Sequence, residues 1–149
     1  VYDIRLARAE EGAAVAGVVD VAYRKWIPVI GRKPAPMLAD YGKLIADGVV
    51  YIIAPDDAVI AVLVIWPIAD ALLIENICVQ PGQQRGGIGR ALMDFAEKRA
   101  QAAGFDRVRL YTNEKFEANQ AYYRKLGYAE TRREITADGR RIVWMHKDL

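Results

Sequence analysis

At 149 residues, with 53% hydrophobic and 27% charged side chains, the chain has an ordinary globular balance. That length gives one domain, residues 1–149, able to bury about two-thirds of its unfolded surface. A net charge of +2 makes no case for a nucleic-acid partner, and no apolar run reaches the ~18 residues of a membrane span. The lone cysteine, Cys78, cannot close an internal disulfide and no signal-peptide pattern is present, so a cytoplasmic protein is expected.

In chain order, Tyr2 to Ala7 alternates like a short strand. Glu10 to about Lys25 carries Val15, Val18, Val19 and Ala22 at helical spacing. Trp26 to Pro36 contains Pro28, Gly31, Pro34 and Pro36 and reads as a loop or broken helix. A shorter helix is predicted over Met37 to Ala46. Three apolar runs follow, Val49 to Ala54, Val59 to Trp66 and Leu72 to Val79, with gaps short enough for an antiparallel meander. Ile88, Leu92 and Phe95 lie on one face of a helix that Gly104 ends. Val108 to Thr112 is a strand and Phe116 to Leu126 a helix stopped by Gly127. A hairpin, Tyr128 to Thr136 and Arg140 to Lys147 about Asp138-Gly139, closes the chain. Strand runs followed by strand–helix–strand–helix predict a mixed sheet with helices on both faces, an α+β three-layer domain.

The segment from Val79 to Arg90 is the most specific. An apolar strand enters a glycine-rich turn and an amphipathic helix begins at once. Glycines let a ligand approach the backbone, and the first helical turn offers unpaired N–H groups and a partial positive charge. A Walker loop would need Lys and Ser/Thr where Ile88-Gly89 stand, and a dinucleotide fingerprint would need Gly or Ala at Leu92. Gln84-Arg85-Gly86-Gly87-Ile88-Gly89 fits a third pattern, Gln/Arg-x-x-Gly-x-Gly/Ala. With Val79-x-Pro81 before it, this resembles the acetyl-CoA signature of the GNAT superfamily of N-acetyltransferases. Downstream, Asn119-Gln120-Ala121-Tyr122-Tyr123-Arg124-Lys125-Leu126-Gly127-Tyr128 is similar to that family's closing motif, a helix ending in Tyr-x-x-x-Gly-Phe/Tyr. The resemblance covers roughly Leu72 to Lys147.

It implies a GNAT-like α/β/α domain on a central mixed, mostly antiparallel sheet, acetyl-CoA as cosubstrate, no metal, and direct acetyl transfer to an amine in a ternary complex. An alkyl amine of pKa about 10.4 is mostly protonated at pH 7, a handicap of roughly 4–5 kcal/mol. The chemistry therefore wants a base near the amine, an acid near the sulfur and donors toward the thioester oxygen. By its motif position Tyr123 is the expected acid. Glu75 is the candidate base, in period-two register with Leu73, Ile77 and Val79, where a carboxylate inside an apolar pattern needs a pocket or a partner. Asn76 faces the other way and reads as structural.

The resemblance places pantetheine along Ile77, Cys78 and Val79, with the N–H groups of Ile77 and Val79 toward the thioester. It places the diphosphate on Gln84, Arg85, Gly86, Gly87, Ile88, Gly89 and Arg90. The family often has an asparagine seven residues before the acid tyrosine; Phe116 stands there, and Asn119 is the substitute contact. Cys78 lacks a histidine partner for nucleophilic work, and His146, the one histidine, excludes a histidine metal cluster. The acceptor pocket is expected from the Tyr23-to-Tyr41 segment with the final hairpin. Tyr23, Arg24, Trp26 and Arg32 would line it, and the basic pair suits an acceptor bearing a carboxylate. A small-molecule amine is favoured over a protein N-terminus or lysine. A non-catalytic acyl-CoA sensor and a nucleotide-dependent phosphotransferase are the readings from other classes. A homodimer is left open.

Overall fold

The computed structural model describes residues 2–84 and 86–149. Among the described residues seven strands appear: β1 (Arg5–Leu6), β2 (Val50–Ile53), β3 (Ala61–Pro67), β4 (Leu72–Val79), β5 (Arg107–Asn113), β6 (Ala129–Ile135) and β7 (Arg141–Asp148). They form one mixed sheet in the order β1-β2-β3-β4-β5-β7-β6. The helices are α1 (Gly12–Tyr23), α2 (Ile27–Ile30), α3 (Tyr41–Ala46), α4 (Ile88–Ala102) and α5 (Glu117–Lys125). This is the α+β arrangement that the order of sequence patterns predicts. Contacts divide the chain into two compact units. One takes the chain up to Ile65 with Asn76–Phe95, and the other takes Trp66–Glu75 with Ala96–Leu149.

In the first unit β1, β2 and β3 run antiparallel, with Arg5 opposite Ile52 and Val50 opposite Val64. Val15, Val18, Val19 and Ala22 recur at helical spacing along α1 and are all buried, so the periodic stripe is the core face. Tyr41 and Ile45 of α3 and Ile88, Leu92 and Met93 of α4 join that core. Glu11, just ahead of α1, accepts both Arg5 guanidinium nitrogens at 2.9 Å and the Arg8 amide at 2.7 Å. Those bonds hold its carboxyl at about 2, well below the ordinary 4.5.

Some boundaries differ from the sequence pattern. The Trp26-to-Pro36 stretch is a broken helix: 3-10 turns at Arg24–Trp26 and Ala35–Leu38 flank α2, which Gly31 ends at φ +76°. The next helix starts at Tyr41 rather than Met37, because Asp40 caps it by accepting the Lys43 amide at 3.1 Å. The first strand shrinks to two residues, the length over which it pairs with β2.

In the second unit β4 and β5 are parallel, in register from Leu72 opposite Val108 to Ile74 opposite Leu110. Strand β4 itself runs on to Val79. Strand β5 pairs antiparallel with β7 from Arg107 opposite Asp148 to Asn113 opposite Ile142, and β6 and β7 form the hairpin about Gly139, with a register shift at Glu130/Arg132. Val108, Leu110, Val143 and Met145 fill the buried face. Buried Gln120 of α5 donates to the carbonyls of Asn113 and Glu114, at 3.3 and 3.0 Å.

Candidate active site

The glycine turn belongs to the first unit. Its opening is set by the Gln83 amide on the Gln80 carbonyl (3.0 Å) and by Gln84, whose Nε2 donates to the Val79 carbonyl at 3.2 Å. Gly82 and Gly87 have φ of +93° and +73°, a region that side chains other than glycine's resist. A Cβ built on either meets nothing within 4 Å, so the space beside the backbone is open. Tyr2 Oη donates to the Gly86 carbonyl. Arg85 lies outside the described residues. Helix α4 starts at buried Ile88, and among the described residues its first bond runs from the Ala91 amide to the Gly87 carbonyl at 3.0 Å. The N–H groups of Gly87, Ile88, Gly89 and Arg90 thus precede the intrahelical ladder. The Arg90 side chain lies out on the surface, 3.6 Å from Asp94. Open backbone at the start of a fifteen-residue helix fits a diphosphate.

Burial along β4 alternates, with Glu75, Ile77 and Val79 half-buried and Asn76 and Cys78 buried. Burial pushes the Cys78 thiol up to about 12 against a weaker opposing bond to the Val62 backbone, which leaves it inert as a nucleophile at neutral pH.

Glu75 is part of the second unit. Burial raises its carboxyl above the ordinary carboxylate range, and Tyr111, whose Oη donates to Glu75 Oε1 at 2.5 Å, pulls the other way. The parallel register explains the pairing: Leu73 faces Arg109, so the next same-face pair is Glu75 and Tyr111. Tyr111 packs on Trp144 with centroids 5.0 Å apart. The Arg109 and Arg132 guanidiniums lie 4.9 and 5.4 Å from the same Trp144 ring, and Trp144 Nε1 donates to Glu134 at 2.9 Å.

In the same unit Tyr123 is 8% exposed near the end of α5, whereas Tyr122 is 40% exposed. Their rings are 5.8 Å apart and tilted, so the helix separates the two phenols as its geometry requires. Past Gly127 (φ +98°) the Tyr128 amide returns to the Tyr123 carbonyl at 3.0 Å, and the two rings meet edge-on at 6.2 Å. Tyr128 Oη and Lys147 Nζ clasp Glu97, at 3.0 and 2.9 Å. Asn119 is half-buried one residue before Gln120.

The acceptor candidates lie in the first unit. Tyr23 Oη donates to Asn76 Oδ1 at 2.7 Å, with the Ile77 carbonyl 3.3 Å away. Arg24 pairs with Asp20 at 2.6 Å. Trp26 is half-buried with the Lys25 ammonium 5.2 Å from its ring, and Arg32 is exposed.

Residues 15–128 match the Acetyltransferase (GNAT) family. The chain belongs to this family. No curated protein matches its sequence. Among solved structures, this GNAT acetyltransferase is similar to the PaiA N-acetyltransferase of Thermoplasma acidophilum in complex with coenzyme A. The two are 18% identical over 100% of this chain and 99% of that one, with a TM-score of 0.81. A GCN5-related N-acetyltransferase of Rhodopseudomonas palustris gives 16% identity, coverage of 100% and 96%, and a TM-score of 0.83. The ribosomal-protein-S18-alanine N-acetyltransferase of Escherichia coli gives 19%, 99% and 94%, and 0.74. These likenesses confirm the fold.

Three residues bond to the β4 side chains Glu75 and Asn76, or are one of them, without a local sequence motif. Tyr111 is found only through the parallel register. Tyr41 and Asn76 are found through each other, by the bond from Asn76 Nδ2 to Tyr41 Oη at 3.0 Å. Asn76 did carry a signal, since a polar residue at a buried-face position of an apolar strand must find partners. Among the described residues no group of three or more His, Cys, Asp and Glu could hold a metal ion, and no helix is long and apolar enough to cross a membrane.

Proposed function

We propose that the protein, as one catalytic domain, transfers acetyl from acetyl-CoA directly to the primary amine of a small molecule within a ternary complex. The observation that carries the reading is the glycine turn, where left-handed Gly82 and Gly87 leave open space beside the amides that head α4. In this reading the backbone from Gln84 through Arg85, Gly86, Gly87, Ile88 and Gly89 to Arg90 holds the diphosphate. Ile77, Cys78 and Val79 align the pantetheine arm in the manner of an added strand. Ile77 and Val79 direct N–H groups to the thioester oxygen, and Asn119 adds a side-chain contact.

The bound thioester supplies an acyl carbon open to attack by nitrogen. Glu75 takes the proton that the amine loses as its C–N bond forms, and its raised carboxyl suits it to that exchange nearer neutral pH. Tyr123 gives its phenolic proton to the sulfur as the C–S bond breaks. Tyr23, Arg24, Trp26 and Arg32 line the acceptor side. Arg24, with Asp20 at 2.6 Å, and Arg32 form a basic pair that suits an acceptor bearing a carboxylate. The chain's buried sole cysteine suits a reducing, cytoplasmic setting.

Calorimetry with acetyl-CoA, paired with thiol release over small amines and N-terminal peptides, tests the reading. Micromolar binding with turnover on small amines supports it. Turnover on peptides alone moves the acceptor to protein N-termini, and binding without turnover on any amine makes the protein a sensor.

A further inference from the structure

Residues 24–40 leave α1 and return to α3 through two 3-10 turns and the single turn of α2. The tyrosines that bracket this segment, Tyr23 and Tyr41, both bond to one side chain of β4, Asn76. Tyr41 Oη donates in turn to the Pro36 carbonyl at 2.5 Å, inside the bracketed segment. That last bond fixes the direction of the others. A hydroxyl has one proton; Tyr41 gives it to Pro36 and therefore receives from Asn76 Nδ2. The amide oxygen is left for Tyr23, whose longer 3.3 Å contact to the Ile77 carbonyl is the minor branch of the same proton. Asn76 and Tyr41 are each only 5% exposed. A buried amide is costly unless both of its ends are bonded, and here both ends are used to fasten the two borders of one segment.

We infer that Asn76 is the positioning residue of the acceptor segment, a latch that sets where residues 24–40 lie against β4 and hence how tightly the amine is held. The inference rests on the acetyltransfer reading, in which that segment lines the acceptor side. Asn76 touches no reacting atom; it acts through Tyr23, Tyr41 and the Pro36 carbonyl. Because the two hydroxyls share one amide, they are interdependent. Removal of the Tyr41 hydroxyl frees the amide to rotate and loosens its hold on Tyr23 as well.

The test uses Tyr41→Phe, Tyr23→Phe, the double variant and Asn76→Asp, which keeps an acceptor for Tyr23 but has no donor for Tyr41. Tyr41→Phe and Asn76→Asp should each raise the acceptor KM roughly three- to ten-fold, the scale of one or two net hydrogen bonds. The acetyl-CoA KM and kcat at saturating amine should hold. The double variant should add little to either single one, since independent sites would be additive. Hydrogen exchange should quicken across 24–40 and not in α4. An unchanged acceptor KM, a parallel rise in both KM values, or additive singles overturns the latch. Loss of turnover on every amine by the unaltered protein overturns the acetyltransfer reading instead, and the exchange pattern then decides the latch alone.

Discussion

The Tyr123 and Tyr128 rings meet edge-on and the Tyr123 carbonyl accepts from the Tyr128 amide, so ring and backbone together fix the position of the Tyr123 side chain. Tyr123→Phe should lower kcat about ten- to a thousand-fold with little change in acetyl-CoA affinity, the range for loss of a general acid. Steady-state rates and calorimetry on that variant check it, and an unaltered kcat removes the assignment. The partner of Glu75 allows a sharper experiment. Tyr111 donates to the carboxylate and so lowers a pKa that burial has raised. Tyr111→Phe removes the lowering influence only, so the carboxyl should rise further and the acidic limb of the kcat/KM profile should move to higher pH. A limb that stays put excludes Glu75 as the base. The half-buried placement of Glu75 on β4 was legible from period-two register; its partner Tyr111 was not, because parallel pairing joins residues that no local pattern connects.

At the scale of elements, the turn ahead of α4 combines left-handed backbone with open space. Gly87→Val should abolish acetyl-CoA binding in calorimetry, since the side chain enters the space beside the amides and also strains a backbone at φ +73°. Retained binding would move the diphosphate elsewhere. This element was readable because the glycines and the strand-to-helix change are adjacent in sequence. The start of α3 was not, since Met37 and Leu38 extend an apolar pattern that the Asp40 cap interrupts. Helix α5 illustrates a hidden cost of the same kind. Its buried Gln120 ties two carbonyls ahead of the helix, so Gln120→Leu should destabilise the fold by about 1–3 kcal/mol in urea unfolding. A change below about 0.5 kcal/mol would show that those carbonyls find other partners.

For the molecule as a whole, acid resistance should track Glu11. Its folded carboxyl lies near 2 and its ordinary value is 4.5, so its contribution is complete above about 4.5 and lost as pH falls toward 2. Allowing for screening, that amounts to on the order of 1–2 kcal/mol. Glu11→Gln should flatten the fall of Tm across that window, and an unaltered slope would assign acid sensitivity to other carboxylates. The parallel register that brings Glu75 to Tyr111, and the bond that joins Asn76 of β4 to Tyr41 of α3, link residues far apart in the chain and were beyond local patterns. The apolar runs and helical stripes were not. Cys78 has a practical consequence: with its sulfur shielded and protonated, aromatic disulfide reagents added during turnover should colour only with liberated coenzyme A. A cysteine introduced at an exposed site such as Lys33 would then be the sole address for a fluorophore.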